Sequence, residues 1–228
     1  MPEIPAISTW PQARPERQNW YRAVPSRHPP VQLWDHCANP EELHDAAMVE
    51  SVTNDRLRQE LGEIRAVPEA DWVFGEGASP VMAAFCHVNE QGSRFSPGDY
   101  GVYYAGSSPR VAAREVAYHR RQWYRQNPAA EPRQTMRLYQ GSVTRPLIDI
   151  RGETRPGLLH DPDSWHHAQR FGQAAKQDQS WGIHYRSVRH PGGECVALLR
   201  PPAITPVIQT RHFQLHWDGE DVQILGLG

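Results

Sequence analysis

The sequence has 228 residues, with 24 Lys and Arg against 26 Asp and Glu, which gives a formal net charge of −2. This length suits one domain with a substantial core, or one domain plus an extension. The charge balance argues against a general nucleic-acid-binding protein, because binding to phosphate backbones depends on excess positive charge. Since no apolar run approaches the ~20 residues of a membrane span, we also expect no membrane insertion.

The N-terminal segment predicts an arm rather than a targeting signal. Residues 1–19 are rich in proline and lack the basic start and apolar stretch of a signal peptide. The three cysteines, Cys37, Cys86 and Cys195, are far apart and form no CxxC pair. This usage is typical of reduced thiols in a cytoplasmic protein. We therefore predict an arm over 1–19, a single domain over 20–228 and a cytoplasmic location.

The first quarter of the sequence predicts one strand and one long helix. The segment 20–27 is typical of a short strand that ends near a proline. A helix is expected over 39–62, with Asn39 as its N-cap and Pro40 in its first turn. The poor helix formers at 52–55 could divide this helix into two.

Two Ser-Pro pairs predict further helix starts. The first, Ser79–Pro80, would open a short helix that carries Val81, Ala84 and Phe85. A strand is expected over 100–106, and Ser108–Pro109 would then open a helix to about Gln126. Four residues of this second helix fall at helical spacing and predict a buried face, with Glu115 at its border: Ala112, Val116, His119 and Trp123.

The second half of the sequence is rich in strand signals. Six short segments bounded by Gly, Pro or Asp are typical of strands: 136–144, 146–152, 182–190, 195–201, 211–219 and 221–227. The last two predict a hairpin with its turn near Asp218–Gly219, and a short helix is expected within 161–179. Helices early and strands late predict an α+β domain with mainly antiparallel pairing.

Arg94, Tyr104 and Glu115 form the first candidate site. A guanidinium suits phosphate oxygens, a tyrosine ring can stack on a flat ligand, and a carboxylate can stabilise a developing cation. Together they would suit a nucleotide whose glycosidic bond ionises. From spacing alone a second interpretation stays open, in which Arg94 and Glu115 form a structural ion pair and Tyr104 belongs to the core.

Other candidate sites have less support from the sequence. The histidines at 160, 166 and 167 lack the spacing of zinc ligands, so we predict no metal site. Cys195 begins an apolar strand, where a cysteine is usually a small buried apolar side chain rather than a nucleophile. Ser187 lies between two arginines in a predicted strand, where a serine is usually structural.

These stretches nevertheless match a known pattern when they are taken in order. They read "GSRFSPGDYGVYYAG" at 92–106, "AAREVAYH" at 112–119, "GIHYRSVRHPGGECVALLRP" at 182–201 and "HFQLHWDG" at 212–219. In them the chain resembles the RES-domain family, the toxin component of RES–Xre toxin–antitoxin modules in bacteria. The resemblance extends from about Trp20 to the C-terminus.

The resemblance implies the residues of one site. Arg94 matches the arginine of a glycine-rich turn, Tyr104 the strand tyrosine and Glu115 the helix glutamate eleven residues later. Ser187 matches a late strand serine, and Arg22 an earlier arginine of the same pocket. The implied catalytic residues are Arg94, Tyr104, Glu115 and Ser187, and the implied NAD+-binding residues are Arg22, Arg94, Tyr104 and Ser187.

The resemblance also implies a fold, an activity and a partner. The fold would be ADP-ribosyltransferase-like, with mostly antiparallel split sheets and flanking helices. NAD+ would be the substrate, with no further cofactor, and a glycohydrolase or phosphorylase reaction would cleave its nicotinamide–ribose bond. The partner would be an Xre-type helix-turn-helix antitoxin, with which the chain could form an oligomer. Two alternatives stay open: ADP-ribosylation of a protein target, and a catalytically weak nucleotide-binding module.

The match departs from the family pattern at two places. Ser93 and Ser96 stand where the arginine turn usually has glycine and asparagine. Glu194–Cys195 stands where many members have an asparagine after the serine strand. The first difference concerns the geometry of the turn, and the second concerns one polar contact in the pocket.

Overall fold

The computed structural model describes residues 6–27, 32–50, 64–155 and 158–227. Within them, nine strands form one hydrogen-bonded sheet. Their bounds are β1 Gln12–Ala13, β2 Trp20–Pro25, β3 Tyr103–Gly106, β4 Arg133–Gly141, β5 Leu147–Asp149, β6 Gly182–Arg186, β7 Glu194–Leu198, β8 Ile208–Trp217 and β9 Val222–Leu225. The order across the sheet is β1-β5-β6-β7-β3-β2-β4-β8-β9. Neighbouring strands are antiparallel except for the β5–β6 pair, which is parallel.

The described residues also form five α-helices. They are α1 Leu33–His36, α2 Pro40–Glu50, α3 Ser79–Cys86, α4 Pro109–Gln126 and α5 His166–Gln177. Short 3-10 helices lie at Ile7–Thr9, Glu69–Asp71 and Pro201–Ala203. Among the described parts of the chain, no helix has the length and apolar character needed to cross a membrane. The predicted α+β class with mostly antiparallel pairing is confirmed.

The sheet has two halves that meet at a narrow junction. All six residues of β2 pair with β4, but the ladder between β2 and β3 has the single register pair Tyr21–Gly106. Strands β2 and β3 diverge from that point. Arg22 lies across the opening and donates from Nη1 to the Tyr104 carbonyl at 3.3 Å. The predicted split therefore takes the form of a cleft within one continuous sheet.

The starts of α2 and α3 are capped in different ways. Asn39 caps α2 as predicted, because its Oδ1 accepts from the Glu42 amide at 2.9 Å. The remainder of the predicted long helix, including 52–55, lies outside the described residues. In α3 the cap comes from α1, where Asp35 Oδ1 accepts from the Ser79 amide at 3.1 Å. Local sequence rules cannot predict a cap supplied by a residue 44 positions earlier.

Helix α4 begins and ends where predicted, and its predicted buried face is confirmed at Ala112 but wrong at Trp123. Ser108 Oγ accepts from the Val111 amide at 3.2 Å and caps the helix. The residues that pack on the sheet are Val111, Ala112, Ala113, Ala117 and Tyr124. The stripe that continues from Ala112 through Val116 and His119 instead lines the cleft, and Trp123 at its end is 37% exposed. Apolar spacing marked this stripe correctly, but a cavity rather than the core lies opposite it.

The predicted strands and short helix of the second half are confirmed with shifted ends. The hairpin between β8 and β9 turns where expected: the Asp218 amide donates to the Asp221 carbonyl at 3.2 Å. Gly219 has a φ of +103°, a backbone conformation that favours glycine. Helix α5 occupies the middle of the segment predicted to hold a helix.

The described part of the N-terminal arm is joined to the domain. Strand β1 pairs with β5 at the sheet edge, Ile7 is buried, and the Trp10 ring lies 5.7 Å from Phe171 in an edge-to-face contact. The boundary predicted at residue 20 therefore does not separate residues 6–19 from the sheet. Alternating apolar residues are too few here to reveal a two-residue edge strand from sequence.

Helix α5 packs against the Arg94 turn through Gly172. A Cβ atom on Gly172 would lie 2.0 Å from the Phe95 carbonyl oxygen. The chain can bring α5 this close only because the helix has no side chain at that position.

We expect Gly172→Ala to lower the free energy of unfolding by about 1–3 kcal/mol, as overpacking does. Helix propensity alone predicts the opposite, a gain of about 1 kcal/mol for alanine over glycine. Urea denaturation would measure the difference. Gly152→Ala is the control, because a Cβ there meets no atom within 4 Å. A Gly172→Ala protein more stable than the parent would refute the packing argument.

Candidate functional site

A cavity of about 320 Å³ lies in the cleft where the two halves of the sheet diverge. Strands β2 and β3 form its floor, and α4 and the turn before β3 form its walls. Four of the predicted site residues line it: Arg22, Arg94, Tyr104 and Glu115. Ser187 lies behind Glu115, only 9% exposed and outside the lining. The structure thus brings all five predicted residues to one place, although they span 165 positions of the chain from Arg22 to Ser187.

Tyr104 fixes the turn that carries Arg94. Its hydroxyl accepts from the Phe95 amide at 3.0 Å and shares a hydrogen bond with Ser93 Oγ at 2.8 Å. The phenol therefore holds the residues on both sides of Arg94. Burial raises the pKa of Tyr104 to about 12, so the phenol stays protonated at neutral pH and cannot act as a base.

Helix α5 holds the same turn from the other side. Gln169 Nε2 donates to the carbonyls of Ser93 at 3.1 Å and Ser96 at 3.3 Å. The Tyr100 hydroxyl donates to the Phe95 carbonyl at 2.6 Å. With its backbone groups satisfied on both faces, the turn presents Arg94 on a rigid support.

The two serines that depart from the family pattern both have a structural role. Ser96 Oγ donates to the Tyr100 carbonyl at 2.7 Å and accepts from the Gly98 amide at 3.1 Å, which closes the turn. Ser93 contributes the hydrogen bond to Tyr104. The turn is therefore intact, and the substitutions change which side chains hold it.

Arg94 divides its donors between the protein and the cavity. The residue is only 7% exposed, and its Nη1 donates to the carbonyls of Leu159 at 3.3 Å and Asp161 at 2.8 Å. Both of these bonds use one nitrogen. Among the described hydrogen bonds the other guanidinium nitrogens have no acceptor, so they remain for a ligand in the cavity, which Arg94 lines.

Ser187 orients the Glu115 carboxylate. Its Oγ donates to Glu115 Oε1 at 2.5 Å and accepts from the amides of Arg189 at 3.2 Å and His190 at 2.9 Å. The Cys195 thiol contacts the same Oε1 at 3.7 Å. Because these contacts fall on Oε1, the Oε2 atom is the carboxylate oxygen left for a ligand among the described contacts. This geometry favours a positioning role for Ser187 over direct contact with substrate.

Arg22 crosses the floor of the cavity. Its guanidinium stacks over the Tyr103 ring at 4.8 Å, and its Nε is buried without a hydrogen-bond partner among the described residues. Desolvation by burial lowers the pKa of this arginine, although it remains a cation at neutral pH. A buried, unsatisfied guanidinium nitrogen at a cavity wall is the feature expected of an anion-binding group.

Several residues of the cavity wall were not predicted to belong to the site. They are Tyr100, His119, Trp165, Tyr185 and Arg189, with Cys195 beside Glu115. The sequence held a signal for His119, which follows Glu115 by four positions and so shares its helix face. Arg189 follows Ser187 by two positions. No local signal connects Trp165 to the site, since only tertiary structure brings it there.

Glu194 takes no part in the cavity. It lies on the opposite face of β7, where it pairs with Arg151 at 2.8 Å and contacts His184 Nε2 at 3.2 Å. Arg151 also forms hydrogen bonds with Asp149 through two nitrogens. Glu194 therefore belongs to a partly buried network outside the cavity, whereas Cys195 lines the cavity beside Glu115. The predicted effect of the Glu194–Cys195 departure on a pocket contact stays a prediction.

The remaining candidates form no site of their own. Within the described residues, no group of three His, Cys, Asp or Glu side chains could hold a metal ion. The rings of His166 and His167 lie 5.3 Å apart at the start of α5, outside the cavity lining. The three cysteines are buried.

The cavity combines three arginines with one oriented carboxylate. Arg22, Arg94 and Arg189 line the cavity together with Glu115, and aromatic rings complete the walls. Guanidinium groups bind phosphate oxygens, and a carboxylate can stabilise positive charge that develops beside it. This arrangement suits a ligand that carries phosphate and passes through a cationic transition state.

Comparison with known proteins agrees with this fold. Residues 64–218 match the family model described as the RES domain. The uncharacterised protein y4oC of Sinorhizobium fredii strain NGR234 is 25% identical over 211 residues, which cover 92% of this chain and 87% of that protein. A chain from the crystal structure of the M. tuberculosis MbcT–MbcA toxin–antitoxin complex shares the fold, with a TM-score of 0.50, 15% identity, and coverage of 92% of this chain and 90% of that one. The chain belongs to the RES-domain family.

Proposed function

We propose that this protein is a toxin enzyme that consumes NAD+ by cleaving the bond between nicotinamide and ribose. The observation that carries the proposal is the Glu115 carboxylate, held by Ser187 at 2.5 Å inside a cavity lined by three arginines. Membership of the RES-domain family supports it. The second interpretation of the sequence, a structural ion pair between Arg94 and Glu115, has no support, because no contact between them occurs among the described salt bridges.

The arginines would hold the diphosphate. Arg94 has unused guanidinium nitrogens at the cavity wall, and Arg22 has a buried Nε without a partner. Charge-assisted hydrogen bonds from these groups to phosphate oxygens are stronger than neutral ones. They would fix the nicotinamide ribose beside Glu115, while the Tyr104 ring forms part of the surface against which nicotinamide packs.

Glu115 would stabilise the transition state. As the C1′–N bond breaks, its electron pair leaves with nicotinamide and positive charge develops on the ribose ring. A carboxylate fixed next to that ring lowers the energy of the charge without moving during the reaction. An acceptor oxygen then bonds to C1′ and loses its proton; water, inorganic phosphate and a protein side chain would each serve.

The thiol beside Glu115 would not act as the nucleophile. Burial and the neighbouring Glu115 carboxylate raise the pKa of Cys195 well above its usual range. The group therefore stays a thiol, whereas nucleophilic attack needs the thiolate. The reaction we propose proceeds without a covalent cysteine intermediate.

We also propose that the toxin acts in the cytoplasm and is neutralised there by an antitoxin with an Xre-type helix-turn-helix domain. The structural neighbour comes from a toxin–antitoxin complex, which supports a partner of this kind. A cavity lined by three arginines would accept a carboxylate or acidic segment of such a partner in place of phosphate.

We expect the purified protein to release nicotinamide from NAD+ and Glu115→Gln to lower kcat at least ~100-fold, because the amide carries no charge to stabilise the ribosyl cation. Chromatography of the free nicotinamide measures the rate. Glu131→Gln is the matched control, since Glu131 is an exposed carboxylate outside the cavity. Absence of nicotinamide release by the folded parent protein, with water or phosphate as acceptor and with a cell extract present, would refute the proposed function.

We expect Ser187→Ala to lower kcat about tenfold while the KM for NAD+ changes little. The substitution removes the donor to Glu115 Oε1 and leaves the carboxylate free to rotate, but it removes no group from the cavity lining. Ser187→Thr keeps the hydroxyl and should restore most of the rate. An increase in KM with unchanged kcat would instead indicate that Ser187 binds the substrate directly.

A further inference from the structure

We infer that Trp165 and His119 form a stacking platform for the adenine base, so that the site selects a dinucleotide over a mononucleotide. This inference rests on the proposed function, because it assigns the second half of the NAD+ molecule to a place in the same cavity.

The two rings lie together at the cavity wall. Trp165 and His119 both line the cavity, and their ring centroids are 5.7 Å apart with an angle of 59° between the planes. His119 is one helical turn beyond Glu115, a separation of roughly 5–6 Å between side-chain origins. The rings therefore lie about one helical turn from the carboxylate along α4, and our assignment places adenine there and the diphosphate between it and the reacting ribose.

Neither ring belongs to the hydrophobic core. The buried apolar clusters of the described residues do not include Trp165 or His119, and Trp165 is only partly buried. A tryptophan in a cavity wall, away from the core, offers an apolar face that a purine can cover. Stacking between an aromatic side chain and a base tolerates different bases and contributes substantial affinity.

The phosphate-binding arginines hold the segment that carries Trp165. Arg94 Nη1 donates to the Asp161 carbonyl at 2.8 Å, and Arg189 donates through Nη2 to the Pro162 carbonyl. Asp161 Oδ1 accepts from the amides of Asp163 at 2.8 Å and Ser164 at 2.9 Å, which makes this segment a rigid turn. The platform is thus fixed relative to the groups that would bind the diphosphate, as selectivity for one ligand length requires.

The platform is uncharged at neutral pH. The His119 ring opens to solvent in the cavity, yet desolvation by the surrounding wall and the nearby charges of Arg189 and Arg94 lower its pKa to about 4. A neutral imidazole adds a flat surface to the indole without attracting a further anion. Between pH 6 and 8 its contribution to adenine binding should therefore stay constant.

Calorimetric titration with two ligands tests the inference without turnover. ADP-ribose contains the diphosphate and adenine but no nicotinamide, and nicotinamide mononucleotide contains the reacting half but no adenine. We expect Trp165→Ala to weaken binding of ADP-ribose about tenfold and to leave binding of nicotinamide mononucleotide within about twofold of the parent protein. Trp165→Phe should retain most of the ADP-ribose affinity. Trp123→Ala is the matched control, because Trp123 is an exposed tryptophan of α4 outside the cavity lining.

The outcomes separate this inference from the proposed function. Unchanged ADP-ribose affinity in Trp165→Ala would overturn it, and so would an equal loss for both ligands, which indicates a structural role. In the kinetic assay, the preference for NAD+ over nicotinamide mononucleotide, as a ratio of kcat/KM, should fall about tenfold. If the parent protein cleaves neither ligand, the proposed enzyme activity fails, while the binding data still decide whether Trp165 contacts adenine.

Discussion

The geometry of the candidate site depends on the absence of a side chain at Gly106. This residue forms the only register pair between β2 and β3, and it also pairs with Cys195 on its other side. A Cβ atom there would lie 2.7 Å from the Ala112 amide nitrogen, so α4 can begin directly on the end of β3. The helix then runs along the edge of the opening between the two halves of the sheet. Glu115 faces the cavity because α4 packs at this point.

The site draws its residues from both halves of the sheet. Arg22 comes from β2, Tyr104 from β3 and Glu115 from α4, the helix that follows β3, while the β6–β7 turn supplies Ser187. Each half alone would present only part of this set. Fully paired β2 and β3 strands would leave no opening here, since the cavity lies where the β2–β3 ladder ends. The arrangement of the candidate site and the irregularity of the sheet are therefore the same structural feature.

Local sequence rules predicted the positions of helices and strands better than they predicted what those elements pack against. Capping chemistry gave the start of α2 at Asn39 and the full length of α4, because these signals act within one helical turn. Periodicity marked a stripe on α4 but assigned it to the core, since spacing does not distinguish a cavity from a sheet. The residues of the candidate site followed from resemblance, whereas physical reasoning from spacing alone favoured a structural ion pair. Trp165 was not identified because its place depends on contacts between segments some 70 residues apart.

The net charge describes the whole chain and does not reveal how charges are distributed in the cavity. A net charge of −2 describes a sum over 50 ionisable acidic and basic side chains, yet three arginines and one glutamate line the same cavity. Each of these arginines also donates to a backbone carbonyl of a neighbouring segment: Tyr104 for Arg22, Asp161 for Arg94 and Pro162 for Arg189. Those bonds hold the positive groups in place against their mutual repulsion and satisfy part of their hydrogen-bonding capacity before a ligand arrives. An anion entering the cavity would therefore meet preorganised donors, and the energy of binding it would not be lost in reorganising the site.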